Sequence, residues 1–168
     1  TFASMMEEFN ALNTELIGLS VDSLYSHIAW LRKINEIEWN GLRNIEVTFP
    51  LIEDIKMEVA SKYGMIQPNS STTQAVRAVF IIDPESKIRA ILYYPLSTGR
   101  NFDEIKRLIV ALQKADRDNI ATPANWREGD DVIVPTAGSC GTAKARMESK
   151  DEDMYCLDWF MCFKREKK

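Results

Sequence analysis

The stretch from Ala75 to Arg100 constrains the fold of this chain more than any other. It contains two apolar runs, residues 78–82 and 88–94, separated by the five residues Asp83–Lys87. The first run is short, rich in β-branched and aromatic residues, and ends at Asp-Pro, which is typical of a buried strand followed by a turn. The sequence therefore predicts a β-hairpin whose first strand is buried on both faces.

An arginine stands at each end of this hairpin. Arg77 opens the first apolar run, and Arg100 follows the second run just before a predicted helix. A single arginine is usually a surface or ion-pairing residue, but Arg77 lies at the mouth of a predicted buried strand. A guanidinium group is permanently charged and presents a rigid fork of donors, so it suits an anion or a polar oxygen species. Arg77 and Arg100 are therefore candidate site residues.

The hydrophobic periodicity predicts alternating helices and strands before the hairpin and one helix after it. These are a helix over Phe2–Leu12, a strand over Leu16–Val21, a helix capped by Asp22 or Ser23, a strand over Glu46–Ile52, a helix from Asp54 to Gly64, the hairpin, and a helix after Asn101. This order predicts a three-layer α/β domain with helices on both faces. The chain becomes extended and loop-rich after about Ala115, with a short helix over Ala143–Lys150.

Composition restricts the class of protein. The 168 residues are 45% apolar and carry a net charge of −4, which argues against a general role on nucleic acids or anionic membranes. No run approaches the roughly 18 apolar residues of a membrane span. The three cysteines are an odd number and cluster near the end, so an intracellular chain is favoured over a secreted disulfide framework.

The cysteines leave several interpretations open. Cys156 and Cys162 are six residues apart, which places them on one face of a strand but about 240° apart on a helix. A zinc site needs about four ligands at closer spacing, and the chain has one histidine. The two are either small core hydrophobes or thiols that exchange disulfides. Cys140 lies in a Gly-Ser-Cys-Gly segment that is predicted to be a flexible loop. It is interpreted either as an incidental surface cysteine or as a third redox thiol.

One helix carries two further residues of interest. His27 lies beside the apolar face of the second helix, where a lone histidine favours a structural hydrogen bond over a catalytic role. Trp30 lies beside the same face and is interpreted as a core or interface residue.

Several segments together resemble the peroxiredoxins, and the later ones are similar to long prokaryotic members of the one-cysteine-related subgroup. They are LIGLSVDS (16–23), SHIAW (26–30), FPLI (49–52), VRAVFIID (76–83), GRNFDE (99–104), PANW (123–126), VP (134–135), ARM (145–147) and CLDW (156–159). The resemblance covers nearly the whole chain.

The resemblance implies a thioredoxin-like fold and a thiol peroxidase that needs no cofactor and no metal. A peroxidatic thiolate attacks one peroxide oxygen and becomes a sulfenic acid. The arginine matching Arg77 holds and polarises the peroxide, and the one matching Arg100 supports it. The cysteine matching Cys162 resolves the sulfenic acid as a disulfide, with Cys156 beside it, and a thioredoxin-like reductant restores the thiols. Cys140 is a further candidate redox thiol.

The resemblance also implies an assembly. Residues 1–115 correspond to the thioredoxin-like core without its first strands, and residues 116–168 to an arm that wraps a partner subunit. Homodimers then assemble into a decamer-type ring in the cytoplasm, with His27 and Trp30 near the site or an interface.

The sequence departs from the family at the reactive cysteine. The family motif Pro-x-x-x-Thr/Ser-x-x-Cys is absent from the 168 residues. We expect that cysteine about half a dozen residues before Thr1, so that the chain is a C-terminal piece of a peroxiredoxin and is inactive alone. Two alternatives remain, a non-catalytic oligomerising scaffold and a general disulfide-exchange module that uses Cys156 and Cys162.

Overall fold

A computed structural model describes residues 1–66, 76–149 and 151–166, and the predicted polar loop Gln67–Gln74 lies outside them. The order of elements up to α4 confirms the predicted α/β class. The elements are a 3₁₀ turn (Phe2–Met5), α1 (Met6–Ala11), β1 (Gly18–Ser20), α2 (Leu24–Glu36), β2 (Leu51–Glu53), α3 (Glu58–Lys62), β3 (Arg77–Ile82), β4 (Ile88–Tyr94), α4 (Phe102–Asp118), β5 (Val132–Ile133), α5 (Cys140–Met147), β6 (Met154–Asp158) and β7 (Met161–Lys164).

The strands form three small sheets. Strands β1 and β2 pair in parallel, β3 and β4 pair antiparallel, and β7 lies between β5 and β6 with both neighbours antiparallel. The predicted hairpin is therefore confirmed, including its five-residue connection. Its first strand is not buried on both faces as predicted. Every residue from Arg77 to Ile81 is partly exposed and Ile82 is exposed.

Helix α2 begins where the sequence predicts, because the Ser23 side chain accepts a hydrogen bond from the backbone N–H of Ser26. The predicted inward face is wrong in part, since Leu24 and Ile28 are both exposed. The side chain that α2 buries is the polar His27.

The region around Asp54 differs from the prediction in detail. Helix α3 begins at Glu58, not at Asp54. Asp54 instead reaches forward, and its carboxylate accepts hydrogen bonds from the backbone N–H groups of Val59 at 3.1 Å and Ala60 at 2.7 Å. Gly64 adopts the left-handed φ of +65° after the helix, as predicted. The predicted strand 46–52 is reduced to Leu51–Glu53.

The chain divides into two compact units, residues 1–102 and 103–168. The boundary predicted near residue 115 stays a prediction. In the second unit Trp126 and Val132 are each 1% exposed and form a cluster with Ala111, against which Val110 and Ile120 pack. The Trp126 indole N–H donates to the Asp130 carbonyl at 3.0 Å, so the buried ring leaves no polar atom unpaired.

The described helices include none that is both long and apolar enough to cross a membrane.

Candidate functional site

The β3–β4 hairpin positions the first candidate arginine. Arg77 is the first residue of β3 and lies opposite Tyr94, the last residue of β4. Its Nη1 donates to the Thr98 carbonyl oxygen at 3.2 Å, which anchors one side of a partly exposed guanidinium. The remaining donors of the fork are therefore held at the open end of the hairpin.

Arg100 brings a second guanidinium to the same end of the hairpin. Its Nη2 donates to the carbonyl oxygen of Ala78 at 3.5 Å, and Ala78 is the residue that follows Arg77. Burial lowers the pKa of Arg100, and the positive charge of Arg77 lowers it further, while Tyr94 opposes the shift. The charge of Arg77 therefore acts on Arg100 at this end of the hairpin. An arginine stays protonated at neutral pH despite such a shift.

The Nε donor of Arg100 is buried. Among the residues that the structure describes, the Nε of Arg100 is buried without a hydrogen-bond partner. A buried unpaired donor on a cation is costly unless a ligand supplies an acceptor. Two adjacent guanidinium groups with such a donor form a site suited to an anion or to a polarised oxygen atom.

His27 belongs to a different cluster in the first unit. It is 5% exposed, and its Nε2 lies 2.6 Å from the Ser20 hydroxyl oxygen. The Ser20 hydroxyl donates to Asp22 Oδ2 at 2.9 Å, so Nε2 carries the proton and donates to Ser20. The role predicted for His27 stays a prediction, since its Nδ1 is buried without a hydrogen-bond partner among the described residues. Ser20 and Asp22 were not predicted as its partners, although their position just before the α2 cap was the available signal.

Trp30 lies on α2 and is 52% exposed. Of the two roles predicted for Trp30, core or interface, the core role is wrong for this chain. The interface role stays a prediction.

The β6–β7 hairpin brings Cys156 and Cys162 together in a disulfide. They are directly opposite each other in the strand register, with Cα atoms 4.0 Å apart. Cys162 is 2% exposed, whereas Cys156 is partly exposed. The structure therefore places both cysteines on one face of a strand pair, as the six-residue spacing predicts for strands. It also contains the bond that the disulfide-exchange hypothesis predicts.

The other face of this hairpin carries a non-covalent pair next to the disulfide. Tyr155 lies opposite Phe163, and their rings stack with centroids 5.3 Å apart. The Tyr155 hydroxyl donates to Asp131 Oδ2 at 3.0 Å, and this hydrogen bond raises the pKa of Tyr155. The Arg165 guanidinium lies 5.0 Å from the Tyr155 ring centroid.

Cys140 lies apart from this pair and is a free, exposed thiol. The prediction of a flexible loop here is wrong, because Cys140 is the first residue of α5, and the Ser139 side chain caps that helix by accepting from the Thr142 N–H at 3.1 Å. The Gly-Ser-Cys-Gly composition suggested a loop, whereas the serine serves as an N-cap.

No group of three or more His, Cys, Asp or Glu side chains within residues 1–66, 76–149 and 151–166 is placed to hold a metal ion.

Comparison with known proteins decides the family. The profile of the AhpC/TSA family matches residues 1–91, which is more than half of the chain, and the profile of the C-terminal domain of 1-Cys peroxiredoxin matches residues 111–150. This chain belongs to the peroxiredoxins. The membership confirms the family that the sequence motifs indicate.

Peroxiredoxins from two microorganisms are similar along almost the whole chain. The peroxiredoxin of Methanosarcina mazei is 64% identical over 167 residues, which are 99% of this chain and 76% of that protein. The peroxiredoxin of Aquifex aeolicus is 48% identical over 174 residues, covering 98% of this chain and 75% of its own length.

Solved peroxiredoxin structures confirm the thioredoxin-like α/β fold. A yeast mitochondrial 1-Cys peroxiredoxin superposes with a TM-score of 0.81 at 37% identity, covering 98% of this chain and 76% of its own. Peroxiredoxin 6 of Arenicola marina gives 0.80 at 29% identity, covering 99% and 77%. Together with the family match, these likenesses support a thiol peroxidase function.

Proposed function

We propose that this chain is part of a thiol-dependent peroxidase. The enzyme reduces hydrogen peroxide and alkyl hydroperoxides through a cysteine sulfenic acid and acts in antioxidant defence. The observation that carries the proposal is the arginine pair. Two guanidinium groups at the same end of one hairpin, one with a buried Nε that has no partner among the described residues, favour a negatively charged or strongly polar oxygen partner. A thiolate with a bound peroxide supplies both kinds of partner.

Arg77 binds and polarises the peroxide in this proposal, and Arg100 supports it from the more buried position. A thiolate next to two cations has a lowered pKa and is therefore more available for attack. The thiolate sulfur forms a bond to one peroxide oxygen, the O–O bond breaks, and water or an alcohol leaves. Because the guanidinium donors are fixed by the Thr98 and Ala78 carbonyls, they are oriented before the peroxide binds.

The peroxidatic cysteine itself is not one of the three cysteines in the chain. Cys156 and Cys162 lie in strands, and Cys140 follows Gly-Ser rather than the Pro-x-x-x-Thr/Ser-x-x-Cys motif of the family. We propose that a segment preceding Thr1 supplies it and that the 168 residues alone do not reduce peroxide.

The test compares two purified chains in a peroxide-consumption assay with dithiothreitol. The 168-residue chain should consume no peroxide beyond the uncatalysed rate, and a chain extended through the peroxidatic motif should be active. In the extended chain, Arg77→Met should lower kcat/KM by at least about 100-fold, since it removes a charged donor from the reacting oxygen. Arg89→Met is the matched control from the same hairpin, because Arg89 pairs with Asp83 instead. Full activity of the 168-residue chain, or of Arg77→Met, would contradict the proposal.

Cys162 is the proposed resolving cysteine, and a thioredoxin-like dithiol protein is the proposed reductant. The yeast mitochondrial 1-Cys peroxiredoxin resolves its thiol through glutathione and thioredoxin systems, which supports a thiol reductant here. Replacing thioredoxin by glutathione in the assay of the extended chain distinguishes the two reductants.

The proposed assembly is a cytoplasmic homodimer that forms a decamer-type ring. The exposed apolar side chains of α2 support it, because large apolar patches on soluble proteins mark contact surfaces. These are Leu24, Tyr25, Ile28 and Trp30. Light scattering should report a species well above 19.2 kDa, and a stable monomer at micromolar concentration would contradict the ring.

A second candidate function is favoured by one observation, the Cys156–Cys162 disulfide. A general disulfide-exchange module would reduce a small disulfide substrate without peroxide. The test measures the reduction of hydroxyethyl disulfide by the chain with thioredoxin as the reductant. Turnover that is lost in the Cys156→Ser variant would support that function.

A further inference from the structure

We propose that Cys156 is the exchange thiol of a relay, which displaces the peroxidatic thiolate from Cys162 and leaves the Cys156–Cys162 disulfide for an external dithiol to reduce. The inference rests on the proposed function, in which Cys162 first resolves the sulfenic acid. It assigns a chemical role to Cys156 and identifies the hairpin disulfide as the form that meets the reductant.

The bond in the structure excludes a simpler sequence of events. While Sγ of Cys162 is bonded to Sγ of Cys156, Cys162 carries no thiol and cannot condense with a sulfenic acid. The closed hairpin is therefore not the form that resolves. A cycle that contains the closed form must open it before resolution and form it again afterwards.

The relay balances as two exchanges. The sulfenic acid condenses with the Cys162 thiol, releasing water and forming a peroxidatic-sulfur-to-Cys162 disulfide. The Cys156 thiolate then attacks Sγ of Cys162, the bond between Cys162 and the peroxidatic sulfur breaks, and that sulfur leaves as a thiolate with no net oxidation. A dithiol reductant finally reduces the hairpin disulfide to two thiols and is itself oxidised to a disulfide.

The geometry favours the second step. The two cysteines face each other directly in register, and their Cα atoms are 4.0 Å apart. The opposite face of the hairpin adds non-covalent contacts in the same register, the Tyr155–Phe163 stack and the Tyr155–Asp131 hydrogen bond. The Cys162 carbonyl is also held by the Val134 N–H at 2.9 Å. A thiol held against its target in this way reacts as if at very high concentration.

The two sulfurs also differ in access. Cys162 is 2% exposed, whereas Cys156 is partly exposed and precedes the exposed Leu157 at the end of the hairpin. An external dithiol can therefore reach Cys156 more readily than Cys162. Attack there releases the Cys162 thiol first, which is the group that the next resolution step needs.

Exchange between the two cysteines is testable in the 168-residue chain with a small aromatic disulfide that can form an adduct on either cysteine. The leaving thiolate of that adduct stands in for the peroxidatic thiolate. Cys140→Ser removes the third thiol from every protein used. The reduced hairpin is mixed with one equivalent of 5,5′-dithiobis(2-nitrobenzoate), and thionitrobenzoate release is followed by absorbance. Retained adducts are detected by intact mass.

The paired hairpin should release two thionitrobenzoates per reagent and retain no adduct. Its second release should be first-order and independent of protein concentration, since the exchange is within one chain. Cys156→Ser should release one and keep a stable adduct on Cys162, so that loss of this adduct is at least about 100-fold slower. Cys162→Ser should keep its adduct on Cys156 in the same way.

A persistent adduct in the paired hairpin would overturn the relay. A second release whose rate rises with protein concentration, or a reduced hairpin that does not react with the reagent, would overturn it equally. The same measurement with oxidised glutathione, whose leaving thiol is closer to a cysteine, should again show no retained adduct unless Cys156 is replaced. Neither experiment contains peroxide, so failure here leaves the peroxidase proposal intact, and an inactive peroxidase leaves this result intact.

Discussion

The two units of this chain differ in the kinds of side chain that they bury. Residues 1–102 bury two polar side chains, His27 and Asp54, and leave much apolar surface exposed. Residues 103–168 contain the Trp126 cluster and a disulfide. The first unit buries these polar side chains as well as Phe9 and Ala60 and holds both candidate arginines, whereas the second unit buries mainly apolar side chains and contains a covalent bond.

The difference separates two kinds of chemistry. The arginine pair acts through charges that stay constant at any physiological pH and redox state. The cysteine hairpin acts through a bond that forms and breaks. A thiol peroxidase needs both. Activation of the peroxide requires charges that are already in position, and turnover requires a disulfide bond that can form and be reduced.

The largest expected effect is in the second unit. Trp126→Ala removes a side chain that is 1% exposed and should lower the free energy of unfolding by about 3–5 kcal/mol. Urea denaturation measures the change. Trp159→Ala is the matched control, because Trp159 is exposed and its loss should cost no more than about 0.5 kcal/mol. Equal losses of unfolding free energy in the two variants would contradict the view that the buried Trp126 cluster stabilises the second unit.

Removal of the disulfide should have the next largest effect. The bond closes a short loop with a sequence separation of 6, and its loss in a Cys156→Ala, Cys162→Ala variant should cost about 2 kcal/mol through the larger entropy of the unfolded chain. Cys140→Ala is the control, since Cys140 is free and exposed. An unchanged urea midpoint would mean that the stacked Tyr155–Phe163 pair alone holds the hairpin.

A pH-dependent effect is expected in the first unit. Burial alone would raise the pKa of Asp54, but hydrogen bonds from the backbone N–H groups of Ala60, Val59 and Glu58 lower it below its usual 3.8. The unfolded chain therefore binds the proton more tightly. The carboxylate stabilises the fold above about pH 3.8, and this contribution is lost as the pH falls through the lower folded-state pKa.

Asp54→Asn keeps one acceptor oxygen and removes the charge. Its melting temperature should be lower than that of the parent at neutral pH, and the two should converge in strong acid. If the difference in melting temperature between the two proteins is the same at neutral and acidic pH, Asp54 contributes through its shape and not through its charge.

The smallest expected effect concerns the arginine repulsion. Arg77→Met should change stability by about 0.5 kcal/mol or less and should weaken the stabilisation that added salt gives the parent, because salt screens repulsion between like charges. Arg89→Met should shift the salt response in the opposite direction, since Arg89 forms an ion pair with Asp83 at 3.5 Å. Identical salt responses in the two variants would mean that the Arg77–Arg100 repulsion is negligible.

Local patterns predicted the elements and part of the site. The Asp-Pro turn and β-branched runs indicated the β3–β4 hairpin, and Ser23 and Gly64 marked helix ends, because turns and caps depend on residues a few positions apart. The serine cap of α5 and the forward reach of Asp54 to α3 were not predicted, since a cap and a loop share the same small polar residues. The burial of α2 also differed, because periodicity shows which residues share a face but not what covers it.

The order and type of residues were enough to establish the family, the α/β class, the two candidate arginines and the spacing of the cysteines. Three-dimensional packing was needed to show that Arg77 and Arg100 lie at the same end of the hairpin, that Nε of Arg100 is buried without a partner among the described residues, and that Cys156 and Cys162 are bonded with unequal access to solvent. Each of these depends on distances between residues that are remote in sequence or lie on paired strands, and such distances are set by packing and register, not by local propensity.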